Sequence, residues 1–213
     1  MNLDNFQRIS KNLGTDQKLI AVSKGQEVKK IQILYEAGQR DFGENFLQEL
    51  VEKKNQLPSD IVWHFLGNIQ SNKLKDIINH ADLVQSIGRK KIYDKLINMS
   101  NKLEKNILLQ LKLGNEASKS GFSKLEINNI IESHPNDCVV KIKGLMVIAE
   151  GRLTDMEIKD QFAFANDFFQ SVKLINKDIE YLSMGMSNDY DIALANGSNM
   201  IRIGTSLFGS RNK

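Results

Sequence analysis

The stretch that decides the fold runs from residue 61 to residue 86 and reads IVWHFLGNIQSNKLKDIINHADLVQS. Two short apolar segments, residues 61–67 and 83–86, flank an amphipathic segment at residues 72–79. Apolar segments that alternate with amphipathic ones are typical of βαβ units, in which a helix connects two parallel strands. This stretch therefore predicts a strand, a helix and a second, parallel strand.

The same alternation extends to both ends of the chain. We predict six further strands, at residues 19–24, 41–44, 106–113, 139–148, 181–184 and 199–203. Six further helices are predicted at residues 28–37, 46–54, 89–105, 124–133, 155–175 and 189–195. Eight strands of one direction close into a barrel without an unpaired edge, whereas open doubly wound sheets of this length usually have fewer strands. The sequence thus predicts an α/β fold, a single (β/α)8 TIM barrel over residues 1–213, with an extra helix at residues 3–13.

Composition excludes several classes of protein. The chain is 41% hydrophobic and 26% charged, with a formal net charge of +3, as expected of a soluble globular protein. We find no apolar run long enough to span a bilayer and no signal-peptide core, so we expect a cytoplasmic protein. No basic stripe or recognisable module points to nucleic acid. The single cysteine, Cys138, begins an apolar run and is predicted to be a buried thiol, and no residue grouping has metal-ligand spacing.

Lys24 is the first candidate for chemistry. Functional residues of such barrels lie at the carboxyl ends of the strands, and Lys24 ends the apolar strand Ile20-Ala21-Val22-Ser23-Lys24. Desolvation would lower the pKa of a lysine at this position and favour the neutral amine, which forms a Schiff base with an aldehyde. The alternative is a solvated lysine where the strand ends.

The two loops after the last strands predict a phosphate site. Residues 183–189 follow the seventh strand and residues 202–206 the eighth, where barrels of this class often bind phosphate. Ser187 and Thr205 supply hydroxyl donors, and Gly204 lets backbone N–H groups approach an anion closely. Glycine and serine at such turns also serve turn geometry and helix capping, so the pattern allows both interpretations.

Arg202 interrupts the apolar eighth strand between Ile201 and Ile203. A guanidinium opposite a pyridine nitrogen would donate a hydrogen bond and keep that nitrogen unprotonated, which weakens the ring as an electron sink. The alternative is a salt bridge to Glu44 or Asp41 inside the barrel. His64 lies on a strand whose alternation favours a satisfied interior histidine over a catalytic base.

These residues belong to a set of motifs that is similar to a known family. The sequence resembles the pyridoxal 5'-phosphate (PLP) homeostasis proteins, which are relatives of the alanine racemase N-terminal barrel. The matching segments, in chain order, are AVSK at residues 21–24, GQRDFGEN at 38–45, HFLGNIQSNK at 64–73, GLM at 144–146, LSMGMS at 182–187, IRIGT at 201–205 and FGSR at 208–211. They cover nearly the whole chain.

The resemblance implies a PLP carrier or regulator that supports vitamin B6 balance, without an established catalytic turnover. Lys24 would hold PLP as an internal aldimine, and Arg202 would face the pyridine nitrogen. Asn45 would lie beside the ring, and Met184 is included among the cofactor-binding residues. The phosphate would be bound by Ser187, Gly204 and Thr205. The implied partners are PLP and apo forms of PLP enzymes, and we expect a monomer that uses neither nucleic acid nor membrane.

The sequence departs from the family pattern at two places. Gly25-Gln26-Glu27 follows Lys24 where the family commonly has threonine and proline, and we expect a more mobile loop there. Lys112 replaces a common asparagine at the end of the fifth strand and adds a second amine near the barrel mouth. Glu116, Lys119 and Gly121 in the following loop still fit the family.

Two alternatives stay open. A PLP-dependent racemase of low activity would need an acid or base on each face of the substrate. In related racemases a tyrosine on an additional domain supplies the second one, and we expect that domain to be absent because the chain ends after the eighth strand. Tyr190 lies near the phosphate loop, but helix packing is its expected role. A PLP-free barrel that acts on a sugar phosphate could use the same phosphate site.

Overall fold

The computed structural model of the protein describes residues 1–99, 104–114, 120–135 and 137–209. Within these ranges, eight strands form a closed barrel in which each strand pairs with its neighbours in chain order and β8 pairs with β1. All the pairings are parallel. The predicted barrel is confirmed. The strands are β1 (Lys18–Val22), β2 (Asp41–Glu44), β3 (Val62–Phe65), β4 (Leu83–Ile87), β5 (Lys105–Leu111), β6 (Val140–Val147), β7 (Tyr181–Ser183) and β8 (Met200–Ile203).

Helices connect the strands and surround the barrel. Helix α1 precedes β1, as predicted, and a final short helix follows β8. The sequence did not predict that last helix, because four residues are too few to show a helical period. The helices are α1 (Leu3–Asn12), α2 (Val28–Glu36), α3 (Leu47–Gln56), α4 (Leu74–His80), α5 (Lys90–Met99), α6 (Lys124–Ser133), α7 (Asp155–Ile175), α8 (Tyr190–Ala195) and α9 (Thr205–Phe208).

Strand ends differ from the predicted ones where turns begin. Strand β1 ends at Val22. Residues 23–26 form a turn in which the backbone N–H of Gln26 donates to the Ser23 carbonyl at 3.0 Å. Strand β5 likewise ends at Leu111, two residues before its predicted end. The predicted helix at residues 89–105 includes residues 100–103, which lie outside the described ranges.

The side chains of the strands alternate between two environments. On β8, Ile201 and Ile203 belong to the large apolar core that packs the sheet against the helices, whereas Met200 belongs to a smaller apolar cluster. That cluster also contains Ile20, Leu83, Leu108 and Met146, and it fills the barrel interior. Alternation therefore places Arg202, two residues after Met200, inside the barrel. Cys138 is buried, as predicted.

No helix in the described part of the chain is both long enough and apolar enough to cross a membrane.

Candidate functional site

Lys24 lies two residues beyond β1 and is half-buried in the turn that follows this strand. Gly25, the next residue, has a φ of +67°, a left-handed conformation that glycine adopts at little cost. The Gly25 amide donates a hydrogen bond to Glu49 Oε2 at 2.6 Å. This bond and the bond from the Gln26 N–H to the Ser23 carbonyl hold the turn, and the extra mobility expected of this loop stays a prediction.

A buried ion-pair cluster lies directly beneath this turn. Lys53 is 5% exposed, and its Nζ donates to the Ser23 carbonyl, to Glu44 Oε1 and to Glu49 Oε2, all within 2.8 Å. The Ser23 hydroxyl donates to the same Glu44 oxygen at 2.6 Å. Burial raises the pKa of the Glu44 carboxyl, and the Lys53 ammonium opposes this shift. The cluster joins the turn after β1 to β2 and α3, and it positions the backbone that carries Lys24.

Asn45 directly follows β2, which pairs with β1, so Lys24 and Asn45 emerge at neighbouring strand ends. Gly67 makes room there, since a Cβ at this position would lie 1.9 Å from the Asn45 carbonyl oxygen. The Asn45 side-chain oxygen Oδ1 is buried and has no hydrogen-bond partner among the described residues. A buried acceptor without a partner costs free energy, and a ligand that donates to it would recover that cost.

Hydroxyl groups from the last two loops meet at one cavity. Ser187, after β7, accepts a hydrogen bond from the Ser206 amide, after β8, at 3.4 Å. Both residues and Thr205 border a cavity of about 690 Å³. Gly204 lies against β1, where a Cβ would be 3.3 Å from the Val22 carbonyl oxygen. The structure thus brings the predicted phosphate residues together at the end of β8, next to the strand that precedes Lys24. We call this hydroxyl-lined end of the cavity the phosphate cup.

Arg202 is 5% exposed inside the barrel. Its Nη1 donates to Ser183 Oγ at 2.7 Å and its Nη2 to the Val147 carbonyl at 2.8 Å. The alternative salt bridge is wrong, because Glu44 pairs with Lys53, and Asp41 pairs with His64. Burial lowers the pKa of Arg202 to about 10, so the guanidinium stays charged at neutral pH.

A line of buried polar side chains continues from Arg202 across the barrel. The Ser183 hydroxyl donates to Gln85 Oε1 at 2.7 Å, and Gln85 Nε2 donates to His64 Nδ1 at 2.9 Å. Because Nδ1 accepts, Nε2 carries the ring proton and donates to Asp41 Oδ1 at 2.9 Å. His64 is therefore the satisfied interior histidine that the sequence predicts. We call Arg202, Ser183, Gln85, His64 and Asp41 the interior chain.

Met184 has no exposed surface and packs in the apolar core between sheet and helices. Its backbone N–H donates to the Met200 carbonyl, and its carbonyl accepts from the Ser198 hydroxyl. Met184 therefore fixes the backbone just after β7 through these bonds. Its assignment as a cofactor-binding residue stays a prediction. Lys112 is half-buried one residue after β5, while Glu116 and Lys119 lie outside the described residues.

The residues present fit PLP. A lysine, an unpartnered amide oxygen, a buried guanidinium and a group of hydroxyl donors all emerge from the consecutive strands β7, β8, β1 and β2 of the closed barrel. These are the groups that an aldehyde, a pyridine ring and a phosphate ester require. Among the described residues, no cluster of three His, Cys, Asp or Glu side chains is placed to hold a metal ion.

Sequence reasoning missed three groups of this site. It did not identify Lys53, whose i, i+4 spacing from Glu49 was a usable signal. It also missed the Ser183–Gln85 pair, whose members are 98 residues apart and meet only when the barrel closes. The third is Arg8, which borders the cavity of the phosphate cup.

Comparison with known proteins places the chain in a family. Residues 3–212 match the family model described as alanine racemase, N-terminal domain. The pyridoxal phosphate homeostasis protein of Haemophilus influenzae is 39% identical over 205 residues, which cover 92% of this chain and 85% of that protein.

Solved structures agree with this result. PipY of Synechococcus elongatus, in a structure with PLP bound, superposes with a TM-score of 0.88 at 34% identity, and the match covers 97% of this chain and 99% of that chain. Alanine racemase of E. faecalis has a TM-score of 0.73 at 15% identity, and the match covers 57% of its chain. This second likeness shows a shared barrel fold.

Proposed function

The chain belongs to the alanine racemase N-terminal domain family and, within it, to the pyridoxal phosphate homeostasis proteins, and on this premise we propose that it binds PLP and buffers or delivers it inside the cell. We further propose that Lys24 is the covalent attachment point and that the barrel over residues 1–213 acts as one domain. The observation that supports this most is the meeting of the Lys24 turn, Asn45 and the phosphate cup at one end of the barrel.

Each residue has a role in this proposal. Lys24 supplies the amine, and the Lys53 cluster holds its turn in place. Ser187, Gly204 and Thr205 bind the phosphate through hydroxyl and backbone N–H donors, and Asn45 offers its unpartnered oxygen beside the ring. When bound, PLP supplies an aldehyde for the lysine amine and a ring that can withdraw electrons.

Arg202 argues for storage of PLP over fast catalysis. A charged guanidinium beneath the ring donates a hydrogen bond and disfavours a proton on the pyridine nitrogen, so the ring withdraws electrons less strongly. Arg202 is fixed by two hydrogen bonds at the start of the interior chain, and its pKa near 10 keeps it charged. The Tyr190 hydroxyl accepts a hydrogen bond from Arg8, which agrees with a packing role and not with that of a second acid or base.

The test of binding is the absorbance of the purified protein. We expect a yellow protein that takes up added PLP to one equivalent. Its bound PLP should show an absorbance band at longer wavelength than the band of free PLP. A colourless protein that shows no spectral change with PLP would overturn the proposal and favour a barrel enzyme that acts on another phosphate ester. Racemisation of several amino acids at ordinary enzyme rates would favour the racemase instead.

The partners are tested by transfer. We propose that the protein is a cytoplasmic monomer and that apo forms of PLP enzymes receive its cofactor. Loaded protein and free PLP at the same concentration are mixed separately with one apo-enzyme, and the recovery of its activity is followed. Faster recovery with the loaded protein supports direct delivery, whereas equal or slower recovery supports buffering.

A further inference from the structure

Arg8 lies on α1, the helix that precedes the barrel, and borders the cavity of the phosphate cup together with Ser187, Thr205 and Ser206. Helix α1 is not part of the barrel sheet, so the arginine reaches the cup from outside the strand-end loops. Phe6 and Ile9 pack α1 into the apolar core, while Arg8 borders the cup.

Two side chains hold the Arg8 guanidinium in one orientation. Asn5 Oδ1 accepts from Arg8 Nη2 at 2.8 Å and from Nε at 3.2 Å, and the Tyr190 hydroxyl accepts from Nη2 at 2.9 Å. Asn5 in turn donates through Nδ2 to the Ser206 carbonyl at 2.8 Å. The arginine is thus tied to both helices that border the cup, directly to Tyr190 on α8 and through Asn5 to Ser206 on α9.

The charge balance of the cavity gives this arrangement a function. The hydroxyl groups of the cup are neutral donors, whereas a phosphate ester carries close to two negative charges at neutral pH. Among the described side chains that border the cavity, Arg8 is the cation and Asp191 the anion. The bonds to Asn5 and Tyr190 use Nε and Nη2, so the N–H groups of Nη1 are the charge-assisted donors that a phosphate oxygen would accept from.

We propose that Arg8, oriented by Asn5 and Tyr190, is the cationic wall of the phosphate cup and makes the protein selective for the phosphorylated form of its ligand. The inference rests on the proposed function, since it assumes that the cup binds the phosphate of PLP. It assigns α1 a role in ligand binding and assigns Tyr190 a role as the positioning residue of Arg8.

The test compares PLP with pyridoxal, which has the same aldehyde and ring but no phosphate. Binding of each is measured by absorbance in the wild type, Arg8→Gln, Arg8→Lys and Tyr190→Phe. We expect Arg8→Gln to weaken PLP binding about tenfold, the loss of about one charge-assisted hydrogen bond. Pyridoxal binding should stay within about twofold, since it does not use this group. Arg8→Lys should recover part of the lost PLP affinity. Tyr190→Phe should lose less PLP affinity than Arg8→Gln does.

The matched control is Lys11→Gln, which removes the same charge from an exposed position in the last turn of the same helix. It should bind PLP like the wild type. The inference is overturned if Arg8→Gln binds PLP as the control does, or if it loses PLP and pyridoxal equally. A second readout separates a local change from misfolding. The inhibition constant of inorganic phosphate against PLP binding should be higher in Arg8→Gln than in the control. A wild type that binds neither compound would instead overturn the proposed function.

Discussion

Gly25 shows at the scale of one residue how the backbone presents Lys24. Its φ of +67° turns the chain immediately after the lysine, and its amide is used by Glu49. A threonine, the common family residue at this point, would carry a Cβ into a left-handed conformation that side chains disfavour. The glycine therefore suits the left-handed turn of this chain, and Glu49 anchors that turn to the Lys53 cluster.

Replacing Gly25 with alanine should destabilise the protein by about 1 kcal/mol, because the strain of a left-handed alanine outweighs the stabilisation that comes from a less flexible unfolded chain. Urea unfolding measures the effect. Gly151→Ala is the control, since Gly151 has no positive φ and a Cβ there would meet nothing within 4 Å. Equal stabilities of the two variants would contradict the role given to this turn.

His134 joins three elements outside the barrel interior. It ends α6, its Nε2 donates to the Val140 carbonyl on β6 at 2.8 Å, and its Nδ1 accepts from the Tyr93 hydroxyl on α5 at 2.7 Å. Burial raises the pKa of Tyr93 to about 12, so this hydroxyl keeps its proton. Burial lowers the pKa of His134 below its usual 6.5. The neutral ring is the form that satisfies both partners.

This packing predicts acid sensitivity. Below about pH 6.5 the unfolded chain binds a proton at His134 that the folded protein resists, so folding stability falls as the pH falls. We expect the free energy of unfolding to decrease more in the wild type than in His134→Gln between about pH 7.5 and about pH 5.5. His80→Gln, at the partly exposed end of α4, is the control and should retain the dependence of the wild type. Parallel curves for the wild type and His134→Gln would refute this explanation.

At the scale of the whole molecule, the interior chain connects the two ends of the barrel. Arg202 lies near the carboxyl ends of the strands, and Asp41 is the first residue of β2, at the opposite end. Every link between them is a hydrogen bond between side chains from different strands. The orientation of the Arg202 guanidinium therefore depends on residues from four other strands of the barrel.

Gln85→Leu should interrupt this chain. It removes the acceptor of the Ser183 hydroxyl and the donor to His64, and two unsatisfied buried groups predict a loss of about 2–4 kcal/mol in stability. Because Ser183 holds Arg202, the absorbance band of bound PLP should shift as well. Met146→Leu, a volume-conserving change in the apolar cluster of the barrel interior, is the control and should cost less than about 1.5 kcal/mol. A stable Gln85→Leu variant with an unchanged absorbance band would argue against the role given to the interior chain.

Much of the barrel was predictable, because the apolar residues recur with the period of a strand or of a helix. Each strand and each longer helix shows its own local pattern of apolar residues, and the rule that function lies at strand ends located the turn of Lys24 and the phosphate cup. Contacts that need the closed barrel were not predictable. The partners of Arg202 come from β6 and β7, and the residues that orient Arg8 come from α1 and α8. No local pattern encodes such pairs.

The central claim is that Lys24 carries the cofactor, and peptide mapping after reduction tests it most directly. The protein is loaded with PLP, treated with sodium borohydride to make the lysine linkage permanent, digested and analysed by mass spectrometry. Lys112→Ala, which removes the other amine predicted near the mouth, is treated in parallel as the control. The account predicts the added mass on the peptide that contains Lys24 in the wild type and in Lys112→Ala, and its loss in Lys24→Ala. An adduct on Lys112, or an adduct that persists in Lys24→Ala at the same level, would contradict it.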